Sequence, residues 1–366
     1  MPSTIRAAVC RSFGAPLTFE TLTLRDPGPG EIAVTLEAVA ICHSDISYIE
    51  GAWGGALPAV YGHEAAGRVT ALGPGVTKVA PGERVLVTLI RSCGTCPDCA
   101  SGRPVYCTGK EPRAAKLTDA TGAPVHAAME CGAFAEKVIV DQSQIAPLGE
   151  AAAPHFACLL ACGVPTGVGA VVNTARVRPG DTVVVIGAGG VGLNTVQGAR
   201  IAGAARIVAM DLEPAKLADA LSFGATDTIL ATEDEPWVRL AEITGGKLAD
   251  HVFVTVGAIP AYDAALRLLA PRGTAYAVGM PPSGALSAYE PVIIAALGQG
   301  LRGTKMGDVV LSRDIPWMVD LYAQGRLKLD ELVSRQWPFE QINDAIANTS
   351  AGQARRNVLI FQQDQD

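Results

Sequence analysis

Four of the nine cysteines stand within 15 residues, and two residues separate successive members of the first three. Thiolates at this spacing can close a tetrahedral shell around one zinc ion, because the intervening glycine and proline let the backbone turn back towards the metal. With four sulfur ligands, such an ion would stabilise a loop and leave no position for a substrate. An iron–sulfur cluster is the alternative, but no proline follows the fourth cysteine and the last gap is seven residues instead of three. The predicted structural zinc ligands are Cys93, Cys96, Cys99 and Cys107.

A second set of metal-binding residue types is dispersed along the chain. Cys42 and Cys162 supply thiols, and His63 supplies an imidazole. Three protein ligands leave one position open, which a catalytic zinc needs in order to bind water or an alcohol. Zinc there would lower the pKa of the alcohol oxygen, so that an alkoxide forms from which hydride can leave. A single cysteine or histidine is more often an ordinary buried residue than a metal ligand. The prediction therefore depends on the combination of all three.

Two polar residues close to Cys42 in the sequence could assist at this site. Ser44 follows two residues later and could accept the alcohol proton and pass it on. Asp45 could accept the N–H of the His63 ring that does not face the metal, which would fix the tautomer of the imidazole.

A glycine-rich segment, GAGGVG at 187–192, follows an apolar strand and opens directly into a helix. The first glycine permits a tight turn, the second lets a pyrophosphate approach the backbone, and the third lets helix and strand pack closely. Asp211 ends the next predicted strand, 19 residues beyond Gly192, where a carboxylate accepts ribose hydroxyls and repels a 2′-phosphate. This pattern predicts an NAD site, and a glycine-rich turn that binds nothing is the alternative. The residues of the predicted site are Gly187, Gly189, Gly190, Val191, Gly192, Asp211 and, on the following helix, Lys216.

The elements that must position these residues change in character near Cys162. Before it, short alternating or apolar segments separated by Pro-Gly pairs predict a β-rich barrel or sandwich-like domain. After it, apolar strands alternate with helices, which predicts βαβ units and a doubly wound parallel sheet in an α/β protein. Predicted strands lie at 31–37, 65–72, 84–89, 182–186, 206–210, 228–230, 251–256, 273–278 and 357–361, and predicted helices at 190–202, 215–223 and 261–270. We expect domains at 1–162 and 163–306, with a segment at 307–366 that contains two more helices and completes the first domain.

Length and composition exclude several classes of protein. The 366 residues favour two domains. A hydrophobic fraction of 49%, a charged fraction of 18% and a net charge of −7 argue against disorder and against a nucleic-acid partner. No apolar stretch approaches the roughly 20 residues that span a membrane, and the N-terminus does not resemble a secretory signal. We therefore expect reduced thiols, a cytoplasmic location and no membrane partner.

In order and spacing, these motifs resemble the zinc-dependent, medium-chain alcohol dehydrogenases over nearly the whole chain. The resemblance implies a GroES-like catalytic domain, a Rossmann domain that binds NAD, and homodimers or homotetramers joined through the Rossmann domains. The motifs that carry it are CHSD at 42–45, GHE at 62–64, the four-cysteine segment, CGVPTG at 162–167, the glycine-rich loop, VGMPP at 278–282 and RRNV at 355–358.

The resemblance also implies individual roles. Cys42, His63 and Cys162 would ligate the catalytic zinc, with Glu64 as an occasional ligand, and Ser44 would begin the proton relay. Thr166 would pack beside the nicotinamide, while His43 and Arg356 would approach the pyrophosphate. Further cofactor contacts are implied for Val256, Val278 and Met280.

Two departures from the family pattern restrict these implications. Many relatives carry histidine five residues after the first cysteine ligand, whereas this chain has Ser47, so the outer end of the relay is left open. The branch that oxidises S-(hydroxymethyl)glutathione has acids at the positions of Trp53 and Gly55, and without them the amino group of a glutathione adduct loses its partners. Trp53 and Leu89 instead suggest apolar walls of a substrate pocket, with a buried structural tryptophan as the alternative.

We therefore expect reversible, NAD-linked oxidation of a primary aliphatic or aromatic alcohol, with hydride passing from a zinc-bound alkoxide to the nicotinamide. Two zinc ions per subunit are expected, one catalytic and one structural. The alternative enzyme is an S-(hydroxymethyl)glutathione dehydrogenase, which is a formaldehyde dehydrogenase. The alternative that is not an enzyme is an inactive nucleotide-binding redox sensor. Such a sensor does not need the cysteine and histidine metal ligands together with Ser44.

Overall fold

The computed structural model describes residues 2–150 and 152–362, and the chain divides into two compact units. The first unit ends at Cys162 and resumes at Val310, and the second is Gly163–Val309. The chain returns to the first unit three residues later than the predicted boundary at 306. The reason is that Gly307 packs closely against Gly169 inside the second unit, where a Cβ on Gly169 would lie 2.4 Å from the Gly307 carbonyl oxygen.

Within the described residues, the secondary structure has the following bounds. The strands are β1 (Ser3–Cys10), β2 (Thr18–Leu24), β3 (Glu31–Ala40), β4 (Ala59–Val60), β5 (Glu64–Leu72), β6 (Arg84–Thr88), β7 (Leu117–Thr118), β8 (Pro124–Ala127), β9 (Lys137–Asp141), β10 (Ile145–Pro147), β11 (Thr182–Ile186), β12 (Arg206–Asp211), β13 (Asp227–Leu230), β14 (Ala249–Val254), β15 (Leu269–Ala277), β16 (Gly300–Gly303), β17 (Val333–Pro338) and β18 (Arg356–Ile360). The α-helices are α1 (His43–Ile49), α2 (Pro97–Ala100), α3 (Pro154–Ala157), α4 (Gly163–Gly169), α5 (Gly190–Ala202), α6 (Pro214–Phe223), α7 (Pro236–Thr244), α8 (Ile259–Ala265), α9 (Pro291–Leu297), α10 (Leu311–Ala323) and α11 (Ile342–Ser350).

The first unit contains a closed barrel and a mixed sheet. The barrel has the order β1-β2-β7-β8-β4, and the sheet has the order β10-β6-β5-β3-β18-β17, with β9 also paired to β3. β3 is apolar and buried along nearly its whole length, which suits a strand covered on both faces. The C-terminal strand β18 lies antiparallel beside β3, so residues more than 300 positions apart complete one sheet.

The second unit is a parallel sheet of six strands in the order β13-β12-β11-β14-β15-β16. Numbered from β11, this is the order 3-2-1-4-5-6 of a doubly wound dinucleotide-binding fold. The central strand reads TVVVI, and four of its five residues are buried. The glycine-rich loop follows β11 at the point where the strand order reverses, which is where such sheets bind ligands.

Some predicted elements differ from the structure in their bounds, and some strands were not predicted. The helix expected over 261–270 ends as α8 at Ala265, because Leu269 pairs with Ala249 and begins β15. One strand that was not predicted is β17, which pairs in parallel with β18. Its sequence, VSRQWP, is exposed at most positions and does not show the apolar alternation of a half-buried strand.

No single helix in the described part of the chain is long and apolar enough to cross a membrane. One bent pair, Pro154–Ala161 with Gly163–Ala175, meets that test by length and composition only.

Candidate active site

The dispersed metal-binding residues come together in the first unit. Cys42 immediately precedes α1, His63 immediately precedes β5, and Cys162 follows a 3-10 turn at Cys158–Ala161. Each ligand therefore stands at the boundary of a regular element. The four buried residues whose ligand atoms lie within 4.8 Å of one another are Cys42, His63, Glu64 and Cys162.

The imidazole of His63 is held from one side and open on the other. Nδ1 lies 2.9 Å from Oδ1 of Asp45, which is the contact predicted from the sequence. Among the described residues, the buried Nε2 has no hydrogen-bond partner. Burial by itself lowers the pKa of His63, but the Asp45 carboxylate raises it well above its ordinary value. A buried nitrogen beside two thiols and without a partner is the arrangement that a metal ion would satisfy.

The two thiols of the cluster have different acidities. A hydrogen bond from Cys162, aided by the proximity of His63, holds the pKa of Cys42 well below its usual value although burial opposes this. The same hydrogen bond, together with burial, raises the pKa of Cys162. The lowered pKa of Cys42 favours its thiolate, which is the form that binds metals.

Glu64 and Arg356 form a buried ion pair next to these ligands. Nη2 of Arg356 lies 2.5 Å from Oε2 of Glu64, and the side chains are 7% and 0% exposed. Burial raises the pKa of Glu64 to about 7 although Arg356 lowers it. The structure thus places Arg356 beside the metal ligands, and its contact with the pyrophosphate stays a prediction.

The predicted structural zinc ligands also converge. Each of the four thiols offers a sulfur within 4.8 Å of the other three, and the sulfur atoms of Cys96 and Cys107 are 3.8 Å apart. Tetrahedral zinc–sulfur bonds of about 2.3 Å separate neighbouring sulfur atoms by about 3.8 Å. These distances fit one ion and leave no room for a cluster of several iron atoms. Amides of Cys99 and Thr108 lower the pKa of Cys96 to about 5, which favours the thiolate.

The backbone of the glycine-rich loop excludes a side chain at two of its glycines. Gly187 has φ of +97°, and a Cβ there would lie 2.4 Å from Val256. A Cβ on Gly192 would lie 1.8 Å from the Gly187 carbonyl oxygen, so this position admits no side chain. A Cβ on Gly189 would meet no atom within 4 Å, which leaves open space for a ligand at the backbone.

Asp211 and Thr255 stabilise this loop from neighbouring strands. Asp211 ends β12, and its Oδ2 accepts a hydrogen bond of 2.7 Å from the amide of Ala188. The hydroxyl of Thr255, which follows β14, donates to the carbonyl of Gly187 at 2.8 Å. Thr255 was not predicted from the sequence, because a threonine after a strand has no distinctive spacing.

The other residues predicted to contact the cofactor make contacts within the protein, and their roles stay predictions. The hydroxyl of Thr166 lies 3.6 Å from the sulfur of Met306, and Lys216 pairs with Glu213 at 2.8 Å. The remaining ones are His43, which is exposed, Val256 beside Gly187, Val278, which is 9% exposed, and Met280, which is 64% exposed.

A cavity of about 270 Å³ is lined in part by Tyr48, which lies one helical turn after Ser44 on α1. Ser44 and Tyr48 are four residues apart on α1 and share one face of that helix. Trp53 packs edge-on against Tyr48 with ring centroids 5.1 Å apart, and Leu89 packs against the apolar core. Neither Trp53 nor Leu89 lines this cavity, so their role as pocket walls stays a prediction. The lining residues are Tyr48, Gly55, Ala56, Tyr61, His126, Ala127, Ala128 and Met129.

Two protein-family models match the chain, one largely within each unit. Residues 28–150 match the alcohol dehydrogenase GroES-like domain, and residues 190–324 match the zinc-binding dehydrogenase domain. The chain is 34% identical over 369 aligned residues to an NDMA-dependent alcohol dehydrogenase from Amycolatopsis methanolica, covering 98% of this chain and 99% of that protein.

Two crystal structures resemble the whole chain. An alcohol dehydrogenase zinc-binding domain protein from Burkholderia ambifaria has a TM-score of 0.94 at 35% identity, covering 99% of this chain and all of the other. Benzyl alcohol dehydrogenase from Acinetobacter calcoaceticus has a TM-score of 0.92 at 28% identity, covering 98% of this chain and 100% of the other.

The chain belongs to the zinc-dependent medium-chain alcohol dehydrogenase family. It is an oxidoreductase of the alcohol dehydrogenase type, and the family implies zinc and a nicotinamide cofactor. The resemblance and the fold class inferred from the sequence are confirmed.

Proposed function

We propose that this protein catalyses the reversible, NAD-linked oxidation of a primary alcohol that carries a compact aliphatic or aromatic tail. The observation that carries the proposal is the buried His63 Nε2, which has no hydrogen-bond partner in the described part of the chain and lies among the ligand atoms of Cys42 and Cys162. A sensor that only bound a nucleotide would gain nothing from a buried, unsatisfied nitrogen.

The chain's own residues supply orientation and proton transfer. Cys42, His63 and Cys162 would hold a zinc ion, which when bound polarises an alcohol oxygen and lowers its pKa. Asp45 keeps the His63 ring in one orientation through the 2.9 Å contact at Nδ1. Ser44, half-buried in the first turn of α1, accepts the alcohol proton as it passes its own hydroxyl proton on to the next group of the relay. The loop at 187–192 binds the pyrophosphate of the cofactor through its amides and the α5 N-terminus.

The cavity beside Tyr48 supports the proposed substrate class. Tyr48 and Tyr61 are stacked with centroids 6.0 Å apart, and Met129 supplies a polarisable thioether to the same lining. This lining favours a hydrocarbon or a single aromatic ring over a charged tail. Because Ser44 and Tyr48 share a helix face, a tail in the cavity extends from an alcohol group near Ser44.

We also propose a homo-oligomer formed through the second unit and a cytoplasmic location. An exposed apolar face at α9 and β16 supports the first proposal. The second is supported by the thiols of both metal clusters, which must stay reduced to bind zinc.

Replacing Cys162 by alanine tests the reaction. We expect Cys162→Ala to lower kcat/KM for alcohols at least 1000-fold while the affinity for NAD stays unchanged, because the metal site loses a ligand and the nucleotide loop is intact. Activity is measured with NAD, with NADP and with NDMA as acceptors, and cofactor affinity by fluorescence titration. The matched control is Cys158→Ala, a fully buried cysteine outside the ligand cluster, which should retain activity. An active Cys162→Ala protein would rule out the proposed reaction.

Filling the cavity tests the substrate class. Ala56 is exposed and lines the cavity, so Ala56→Phe should fold normally and occupy the space. We expect kcat/KM for benzyl alcohol to fall at least tenfold, with ethanol oxidation changed less than threefold. The control is Ala52→Phe, which is also exposed but does not line the cavity. Equal losses for both alcohols would contradict tail binding at this place.

A further inference from the structure

Thr88 contacts three segments, and two of them, at Glu64 and at Ala161, adjoin the ligand cluster. It is completely buried at the end of β6 and pairs across the ladder with Glu64, the residue next to His63. Its hydroxyl donates a 2.6 Å hydrogen bond to the carbonyl of Ala161. Its own carbonyl accepts a 2.9 Å hydrogen bond from Nε2 of the fully buried Gln144.

The hydrogen bond from Thr88 holds the carbonyl of Ala161, which is the residue immediately before Cys162. Ala161 is the last residue of the 3-10 turn, and a carbonyl at a helix C-terminus lacks an intrahelical partner. Cys162 itself has φ of −148° and ψ of −70°, which lies outside the helical and extended regions. Such a conformation persists only where the surrounding structure enforces it.

We propose that the Thr88 hydroxyl is a positioning group for Cys162: it fixes the carbonyl of Ala161 so that the next residue directs its sulfur towards Cys42 and His63. Valine has the same shape as threonine and would fill the same space, so packing does not require the hydroxyl. Loss of a group that is hydrogen-bonded directly to a metal ligand typically lowers metal affinity 10- to 100-fold, and Thr88 acts one residue before the ligand. This inference rests on the proposed zinc site at Cys42, His63 and Cys162.

The test measures zinc binding at the two sites of the intact protein. We expect Thr88→Val to weaken zinc binding at the Cys42 site at least tenfold in competition with a chromogenic chelator. The four-cysteine site should be unchanged and serves as an internal reference. Cobalt(II) substitution distinguishes the two sites, because their absorption bands differ between four sulfur ligands and a mixed sulfur–nitrogen set.

Thr349→Val is the matched control. Thr349 is buried in the same unit, and its hydroxyl donates a 2.8 Å hydrogen bond to the carbonyl of Ala345. A purely structural role for Thr88 predicts that both valine variants lose stability and that neither changes zinc affinity, and this result would overturn the inference.

A second pair of variants covers the case in which Thr88→Val does not fold. Thr88→Ser and Thr88→Ala differ from each other by the hydroxyl alone. We expect the serine variant to bind zinc within threefold of the natural protein and the alanine variant at least tenfold more weakly. Equal affinities of the two variants would refute the role of the hydroxyl. A natural protein that binds one zinc ion instead of two would refute the proposed metal site and this inference with it.

Discussion

At the scale of single residues, Asp45 joins two of the three ligand-bearing segments. Its Oδ2 accepts a 3.0 Å hydrogen bond from the amide of Cys42, and its Oδ1 accepts one of 3.0 Å from the amide of Gly62. The same Oδ1 lies 2.9 Å from Nδ1 of His63. One buried carboxylate therefore sets the backbone before α1, the backbone before β5 and the orientation of the imidazole.

A second carboxylate, Asp211, is expected to set the choice of cofactor. A negative charge at the end of β12 repels the 2′-phosphate of NADP and accepts the ribose hydroxyls of NAD. We expect Asp211→Asn to lower the ratio of kcat/KM for NAD to that for NADP at least tenfold, because an amide keeps an oxygen for the Ala188 hydrogen bond but carries no charge. The control is Glu213→Gln, a more exposed carboxylate two residues later. An unchanged ratio in Asp211→Asn would show that another group discriminates.

At the scale of elements, the start of the central strand β3 is fixed by a buried ion cluster. Glu31, whose side chain is 1% exposed, accepts hydrogen bonds from Arg25 at 2.6 Å and from the amide of Gly28 at 2.7 Å. Arg113, from the segment after the cysteine cluster, contacts the other carboxylate oxygen at 2.9 Å. The cluster ties the turn before β3 to the loop that follows the four thiols.

This cluster predicts acid sensitivity. Burial by itself would raise the pKa of Glu31, but Arg25, Arg113 and Gly28 together lower it from 4.5 to about 2. Because the pKa of Glu31 is lower in the folded state than in the unfolded state, its ionised carboxylate increases the free energy of unfolding at pH values above about 4.5. This contribution is lost as the pH falls from about 4.5 to about 2. We expect Glu31→Gln to cost about 3 kcal/mol of unfolding free energy at pH 7, with the difference from the natural protein shrinking through that range.

Urea unfolding of both proteins at each pH measures this difference, and loss of zinc in acid affects both alike. The control is Glu20→Gln, whose more exposed pair with Arg11 should contribute under about 1 kcal/mol. A Glu31→Gln difference that is the same at pH 7 and pH 3 would contradict the assignment.

At the scale of the whole molecule, the second unit presents an unusual apolar face. Helix α9 has no buried residue, and β16 ends the parallel sheet with a free edge in the described structure. Leu286 is 86% exposed, Val292 70%, Tyr289 56% and Leu301 54%. Apolar patches with an open strand edge are typical of interfaces, because a second strand there satisfies the backbone and covers the side chains.

We expect this face to join two copies of the chain. Leu301→Lys places a charge on the free strand edge and should convert the proposed dimer or tetramer into a smaller species, measured by light scattering. The control is Leu221→Lys on α6, where a leucine of similar exposure, 49%, lies away from β16. A natural protein that is monomeric at micromolar concentration would contradict the proposed interface.

The features that could be predicted from the sequence depend on residue types and on short-range spacing. Short-range spacing restricts the metal coordination that four nearby thiols can form, independently of the rest of the fold. The thiols in question are those of Cys93, Cys96, Cys99 and Cys107. The glycines at 187–192 act through steric restrictions on their own turn, and the strands and helices around them follow from periodic burial. Cys42, His63 and Cys162 were predicted as a set from their metal-binding residue types, and the family resemblance then implied their roles as ligands.

The tertiary structure alone decided which distant residues support that set. Nothing in the spacing of Thr88 and Ala161, 73 residues apart, indicates their 2.6 Å hydrogen bond. The same holds for the pairing of β18 with β3 and for the ion pair of Arg356 with Glu64. Such contacts depend on the path of the whole chain through the barrel and sheet. Sequence patterns record local conformation and residue chemistry, whereas the packing of remote segments fixes how those groups are held.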